Sequence, residues 1–322
     1  MNETVLLIVA AMVFAIVTGA NDGATMVAIN LPNPAIRPPA AIAILATAVV
    51  LAPLLVGARV ADTLAHGLVS FQGRGGQGQF LGALVAALGV VFILQRRGLP
   101  TSLTLALLGA IVGTGVGLGL EVAWLTVVGV VLIGLVAPLV SFLAGLLAAW
   151  ALAYVRVGVN GWTRLRFLGA VAYIFQSLAY ATNDGQKMIA VLAIAAGLGA
   201  TGQVEVEPLT QLLLGGLFVI GTLAGFERAA GRLGGGILPV RGLHVVASEF
   251  GAATSVLGSA ALGAPVSMTQ AATAALVGAG VSETVWRVRW EHAARIGAAW
   301  FVTLPAAALA GAVIAVIGEM LG

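Results

Sequence analysis

Apolar stretches of about 20 residues recur from Val5 to Ile317, each closed by a short polar break. An α-helix rises 1.5 Å per residue, so a stretch of that length can cross a hydrocarbon core about 30 Å thick. The breaks delimit ten elements, at about 4–31, 39–57, 79–95, 99–119 and 122–154, and then at about 165–200, 208–226, 243–262, 265–282 and 296–318. The first stretch follows Asn2-Glu3 rather than a basic flank, so it reads as a span and not as a cleaved leader. Pro138 sits inside the 122–154 element, where a proline can divide it into two pieces.

Composition turns these stretches into a polytopic membrane protein. Hydrophobic residues make up 60% of the 322 and charged residues only 8%, against roughly 25% charged in a soluble globule. The basic residues are 14 arginines and one lysine, and in a membrane chain they report topology rather than nucleic-acid binding. With the N-terminus outside, Arg37, Arg96, Arg97 and Arg156 fall on the inner face and the second half repeats the arrangement. Arg59 and Arg74 are exceptions on an outer loop. Both termini are then expected outside a cell membrane crossed many times. There is no cysteine, hence no disulfide framework or thiolate metal site. His66, His244 and His292 are scattered and read as loop or interfacial residues. Gln72 to Gln79 is Gly-rich but lacks the Gly-Lys-Ser/Thr of a phosphate-binding loop. No catalytic triad or paired glutamates are visible, so an enzyme is not expected, and nothing asks for a cofactor.

The two halves match each other. Asn21-Asp22-Gly23 with Met26 and Ala28 aligns on Asn183-Asp184-Gly185 with Met188 and Ala190, an offset of 162. Pro100-x-Ser102-x-Thr104 aligns on Pro265-x-Ser267-x-Thr269, and Pro138 falls roughly opposite Pro305. Five elements per half is an odd number of crossings, so the copies run through the membrane in opposite directions. The expected fold is all-α, an inverted-topology repeat of residues 1–157 and 158–322 forming one integrated unit, with broken helices or re-entrant hairpins. Secondary transporters share that signature and bind their cargo near the bilayer midplane.

Only three aspartates occur in the chain, and two of them are Asp22 and Asp184. A carboxylate within a hydrocarbon-length helix costs on the order of 3 kcal/mol or more, which makes each a functional-site candidate. Gly19, Gly23 and Gly185 beside them point to interrupted helices, whose freed N–H groups bind anions and whose freed carbonyls bind cations. Lys187, the sole lysine, lies three residues after Asp184. It could pair with Asp22 or Asp184, contact an anionic substrate, or stand where a coupling cation would otherwise sit. The hydroxyls of Ser102, Thr104, Ser267 and Thr269 can donate to an oxyanion or cap a helix. Glu249 is a further acid in apolar sequence, open to a proton or cation role or to a place at a helix start.

At these residues the chain resembles the inorganic phosphate transporter family, the PiT-type permeases, whose Gly-Ala-Asn-Asp signature occurs in both repeats. Gly19-Ala20-Asn21-Asp22 matches it in full and Ala181-Thr182-Asn183-Asp184 in part, followed by Gly185-Gln186-Lys187 as in bacterial members thought to couple to protons. The resemblance covers nearly the whole chain. It implies a homodimeric carrier in the bilayer, moving inorganic phosphate by alternating access as a proton symporter. It gives a substrate site of Asn21, Asp22, Thr25, Ser102, Thr104, Asn183, Asp184, Gln186, Lys187, Ser267, Thr269 and Gln270. Ion coupling would fall to Asp22, Asp184, Lys187 and Glu249, with sodium at Asp22 and Asp184 as the alternative to the proton. The chain departs from the family at Thr101-Ser102-Leu103-Thr104-Leu105 and Ser267-Met268-Thr269-Gln270, which carry fewer hydroxyls and no following histidine. Sulfate or another tetrahedral oxyanion is therefore the alternative cargo.

Overall fold

A computed structural model describes residues 3–71, 75–97, 101–155, 160–196, 204, 207–234 and 240–321. Arg74, Pro100, Arg156 and Glu205 lie outside the described residues. The first span consists of α1 (Glu3–Thr18) and α2 (Ala24–Ile29), joined by a π-helical turn at Gly19–Gly23. There follow α3 (Pro38–Val56), the short α4 (Arg59–His66), α5 (Gly76–Arg96), α6 (Leu103–Gly117) and α7 (Trp124–Val155). The second half comprises α8 (Gly161–Ala195), α9 (Pro208–Gly234), α10 (Gly242–Ala261), α11 (Met268–Val281) and α12 (Trp290–Leu321). Among the described residues, six helical segments are long and apolar enough to cross a membrane: Thr4–Ile29, α3, α5, α7, α9 and α12. Helix α8 is longer still, but it carries Asn183, Asp184, Gln186 and Lys187 into the protein interior.

The ten sequence elements are all present as helices, and the eleventh, α4, lies in what reads as a loop. Three expectations change. Helix α7 runs unbroken through Pro138, as α12 does through Pro305, because packed neighbours can hold a proline-containing membrane helix on course. Helix α8 is also continuous through Asn183-Asp184-Gly185. The side chains there bond to a neighbouring segment, so the helix keeps its own backbone ladder. The interruption expected at Asn21-Asp22 takes the milder form of the π turn, in which Ala24 N–H reaches back to the Gly19 carbonyl.

The expected re-entrant hairpins are present, though not with their breaks on the faces the ten elements gave them. The breaks before elements 99–119 and 265–282 were expected on opposite faces, yet Thr104 Oγ1 donates to the Val266 carbonyl at 3.3 Å. Two residues in contact cannot lie on opposite surfaces. Helices α6 and α11, of 15 and 14 residues, would also be only about 22 Å long, short of the core. Both hairpins, α5–α6 and α10–α11, are re-entrant, and their tips meet inside the protein.

The inversion is visible in the ends. Thr4 Oγ1 contacts Gln77 Oε1 at 3.2 Å, and Gln77 Nε2 donates to the Ala195 carbonyl at 3.4 Å. The start of α1, the start of α5 and the end of α8 therefore share one end of the molecule. At the other end Asn33, just beyond α2, donates to the Gly169 carbonyl near the start of α8 at 3.1 Å, and Gly242 at the start of α10 packs on Pro32 and Pro34. Equivalent helices α1 and α8 thus run antiparallel, and the two hairpins enter from opposite ends. The halves are also interleaved: α3 packs on α8 and α9 on α1–α2, while α7 packs on α10–α11 and α12 on α5–α6. Small residues permit the last two contacts. A Cβ on Gly113 would collide with the Ala308 carbonyl of α12, and one on Gly278 with the Phe142 carbonyl of α7.

Candidate functional site

The second Asn-Asp pair is stitched to the tip of the α10–α11 hairpin. Asn183 Nδ2 donates to the Ala264 carbonyl at 2.9 Å, and its Oδ1 accepts from Val266 N–H at 3.0 Å. Asp184 Oδ2 accepts from Met268 N–H at 3.1 Å. Met268 opens α11, so the carboxylate sits where the positive end of a helix dipole favours an anion. Three residues on, and so on the same helical face, Lys187 Nζ lies 2.5 Å from Asp184 Oδ1. The same ammonium reaches Thr104 Oγ1 and the Val266 carbonyl, each at 2.5 Å. Lys187 is 3% exposed and Asp184 1%, which places this ion pair out of reach of solvent screening. A carboxylate, a hydroxyl and a carbonyl thus surround one cationic head, supplied by α8 and both hairpins.

The first pair is held more loosely. Asn21 Nδ2 donates to Asp22 Oδ1 at 2.7 Å, and Gln95 Nε2 at the end of α5 donates to Asn21 Oδ1 at 2.7 Å. Thr25 Oγ1 turns back to the Asn21 carbonyl at 2.5 Å, satisfying the π turn. Asp22 is buried but has no ion pair among the described residues. Asp184 and Lys187 lie near enough to act on it electrostatically, so the two Asn-Asp motifs share one region of the interior.

Other expected residues fall around this region in different roles. Ser102 caps α6, accepting from Leu105 N–H at 3.2 Å, and the Ser267 and Thr269 hydroxyls bond to each other at 2.9 Å. The Gln186 amide is engaged with the chain before and within α4: Oε1 accepts from Val60 N–H at 2.8 Å and Ala61 N–H at 3.2 Å, and Nε2 donates to the Gly57 carbonyl at 2.8 Å. Gln270, Thr104 and Ser267 form the polar floor of a cavity of about 530 Å³ whose walls carry Pro138 on α7 and Pro305 on α12. Its lining is otherwise apolar, suited to hydrocarbon rather than to a hydrated anion.

Glu249 stands apart from the pair. It is fully buried, and its Oε2 accepts from Asn33 Nδ2 at 3.2 Å while Oε1 has no partner among the described residues. Asn33 also binds Gly169, which precedes Asp184 by 15 residues on α8, roughly 22 Å along the helix axis. His244 is also not a loose loop residue. It is buried at the start of α10, where Nδ1 accepts from Arg241 N–H at 3.2 Å and Nε2 lies 2.9 Å from Glu283.

The phosphate transporter family's sequence pattern matches residues 18–162 and, a second time, residues 159–311. The chain belongs to that family. The double match reproduces the internal repeat read from the Asn-Asp-Gly motifs. Among its relatives, a probable low-affinity inorganic phosphate transporter of Mycobacterium tuberculosis is 32% identical over 95% of this chain and 75% of its own length. One of Bacillus subtilis is 27% identical over 96% and 95% of the two chains. Among solved structures, "The sodium-dependent phosphate transporter" superposes with a TM-score of 0.79 at 20% identity and covers both chains fully, which establishes the shared fold. As a family member the chain is a multi-pass membrane transporter protein rather than an enzyme.

Three residues, two beside the Asn-Asp motifs and one beside Glu249, escape a reading of the sequence. Gln95 sits in Gln95-Arg96-Arg97, which looks like a polar span end. Tyr180 looks like one more aromatic in an apolar run, and Asn33 lies between two prolines in an evident turn. The available signal was the spacing of Tyr180, one helical turn before Asp184.

Proposed function

We propose that the chain is a secondary active symporter of inorganic phosphate, coupled to protons, with Asn21, Asp22, Thr104, Asn183, Asp184 and Lys187 at its centre. The observation that carries the choice of ion is the Lys187 ammonium, which lies among three oxygens of the kind that would otherwise ligate a sodium ion. With that position filled by the protein itself, Asp22 is the buried carboxylate left to take up and release a proton as cargo enters and leaves. Together Asp22, Asp184 and Lys187 carry a net single negative charge, and protonating Asp22 removes the repulsion that would oppose an oxyanion. Proton and phosphate then favour the same loaded state, which is what symport requires. Ser102, Ser267 and Thr269 supply further hydroxyls, Thr25, Gln186 and Gln270 line or brace the site, and Glu249 serves as a separate ionisable station.

The relatives' naming as phosphate transporters supports phosphate as cargo, and the structural neighbour's sodium dependence is what favours the second reading, sodium coupling at Asp22 and Asp184. The halves 1–157 and 158–322 would act as inverted repeats of one unit, in a homodimer with both termini outside. Reconstitution into proteoliposomes tests the proposal. Radiolabelled phosphate should accumulate under an inward proton gradient without sodium, whereas uptake that needs sodium would favour the second reading. Uptake of sulfate alone would move the assignment to the other tetrahedral oxyanion, and uptake of neither would sink the carrier.

A further inference from the structure

Tyr180 is on the same face of α8 as Asp184, four residues earlier and about one turn away. Its ring is fully buried and packs on Phe218 of α9 with centroids 5.5 Å apart. Phe218 in turn presses on the π turn, where a Cβ on either Gly19 or Gly23 would collide with it. Tyr180 thus stands one turn from Asp184 and, through Phe218, against the π turn that carries Asp22. Its hydroxyl has no hydrogen-bond partner among the described residues. Nearly all buried polar groups are paired, and leaving one unpaired is costly. Packing alone would be served as well by phenylalanine.

We infer that the Tyr180 hydroxyl is a ligand of the transported oxyanion, donating a hydrogen bond to it between Asp22 and Asp184. A phenol is suited to the task because it brings a donor without adding charge to a region that already holds two carboxylates and one ammonium. Its place one turn from Asp184 lets the same helix present the ammonium and the hydroxyl to one anion. The assignment rests on the phosphate-carrier reading and adds a substrate contact to it.

The Tyr180→Phe variant removes one oxygen and keeps the ring against Phe218, so the fold should survive. In proteoliposomes its KM for phosphate should rise about tenfold or more, the range expected when a hydrogen bond to a charged group is lost. Its maximal rate and the proton concentration giving half-maximal uptake should stay near wild type. An unchanged KM overturns the assignment, as does a shift confined to the proton dependence. Phosphate titration of the detergent-purified variant, followed by its thermal midpoint, gives a second readout. Loss of phosphate-induced stabilisation in the variant supports the contact and undiminished stabilisation refutes it. Wild-type vesicles run alongside separate the two claims. Wild-type failure to take up phosphate counts against the carrier reading, whereas wild-type uptake with an unaltered variant counts only against Tyr180.

Discussion

The same tripeptide, Asn-Asp-Gly, is used twice in this molecule and is treated differently each time. Around Asn183-Asp184 the helix is regular and fully buried, and the side chains bond to backbone groups of a hairpin tip. Around Asn21-Asp22 the helix loosens into a π turn, and Asn21 is only partly buried. The offset of 162 that aligns the motifs sets Thr25 opposite Lys187. In the first half the hydroxyl turns back to the Asn21 carbonyl. In the second half an ammonium neutralises the carboxylate. One aspartate thus has an ammonium beside it, while the other has no ion pair among the described residues and is, on the proposed reading, the one that takes up the proton. The two equivalent places differ in charge by one side chain, Thr25 against Lys187.

The largest effect is expected where the compensation is absent. Asp22→Asn should lower phosphate uptake more than about 100-fold while the yield and thermal midpoint of the purified protein stay near wild type, because no ion pair is broken. A variant that still transports would return Asp22 to a structural role. Asp184→Asn should lose both transport and stability. It strands a buried ammonium, an event worth about 3–5 kcal/mol, and the thermal midpoint should fall accordingly. Adding Lys187→Gln to Asp184→Asn should restore much of the midpoint without restoring uptake, which a double-mutant cycle would read.

A subtler change makes the halves alike. Lys187→Thr gives the second motif the residue found in the first and leaves Asp184, Thr104 and the Val266 carbonyl without their cation. The variant should bind sodium there, so that sodium raises its thermal midpoint and stimulates whatever uptake remains, neither of which is expected of wild type. The smallest effect belongs to Gln95→Ala, which removes the hydrogen bond that positions Asn21. At about 1 kcal/mol for one such bond, the KM for phosphate should rise roughly fivefold with little change in maximal rate.

Much of this was legible in the chain because hydrocarbon leaves few choices: apolar length and arginine breaks placed ten helices, and the aligned polar pairs revealed the repeat. What stayed hidden depended on contacts across long sequence separations. Thr104 and Val266 are 162 residues apart and meet only because two hairpins enter from opposite ends. Nothing local says so: the alternation of the ten elements set them on opposite faces, although re-entrant hairpins were among the expected forms. Glycine beside Asn183-Asp184 looked like a helix break because local rules count the cost of polar side chains to their own helix. They cannot see that Ala264, Val266 and Met268 would accept and donate those bonds instead. The choice of Asp184 rather than Asp22 as the partner of Lys187 was open for the same reason, since spacing allowed either.

On the proposed reading Lys187 occupies the place of a coupling cation and a proton on Asp22 drives phosphate entry. The most direct measurement is simultaneous recording of internal pH and radioactive sodium in proteoliposomes as external phosphate is added. Acidification of the vesicle interior in step with phosphate entry, without sodium entry, is the expected result. Sodium entering in fixed proportion to phosphate, with no proton flux, would contradict it.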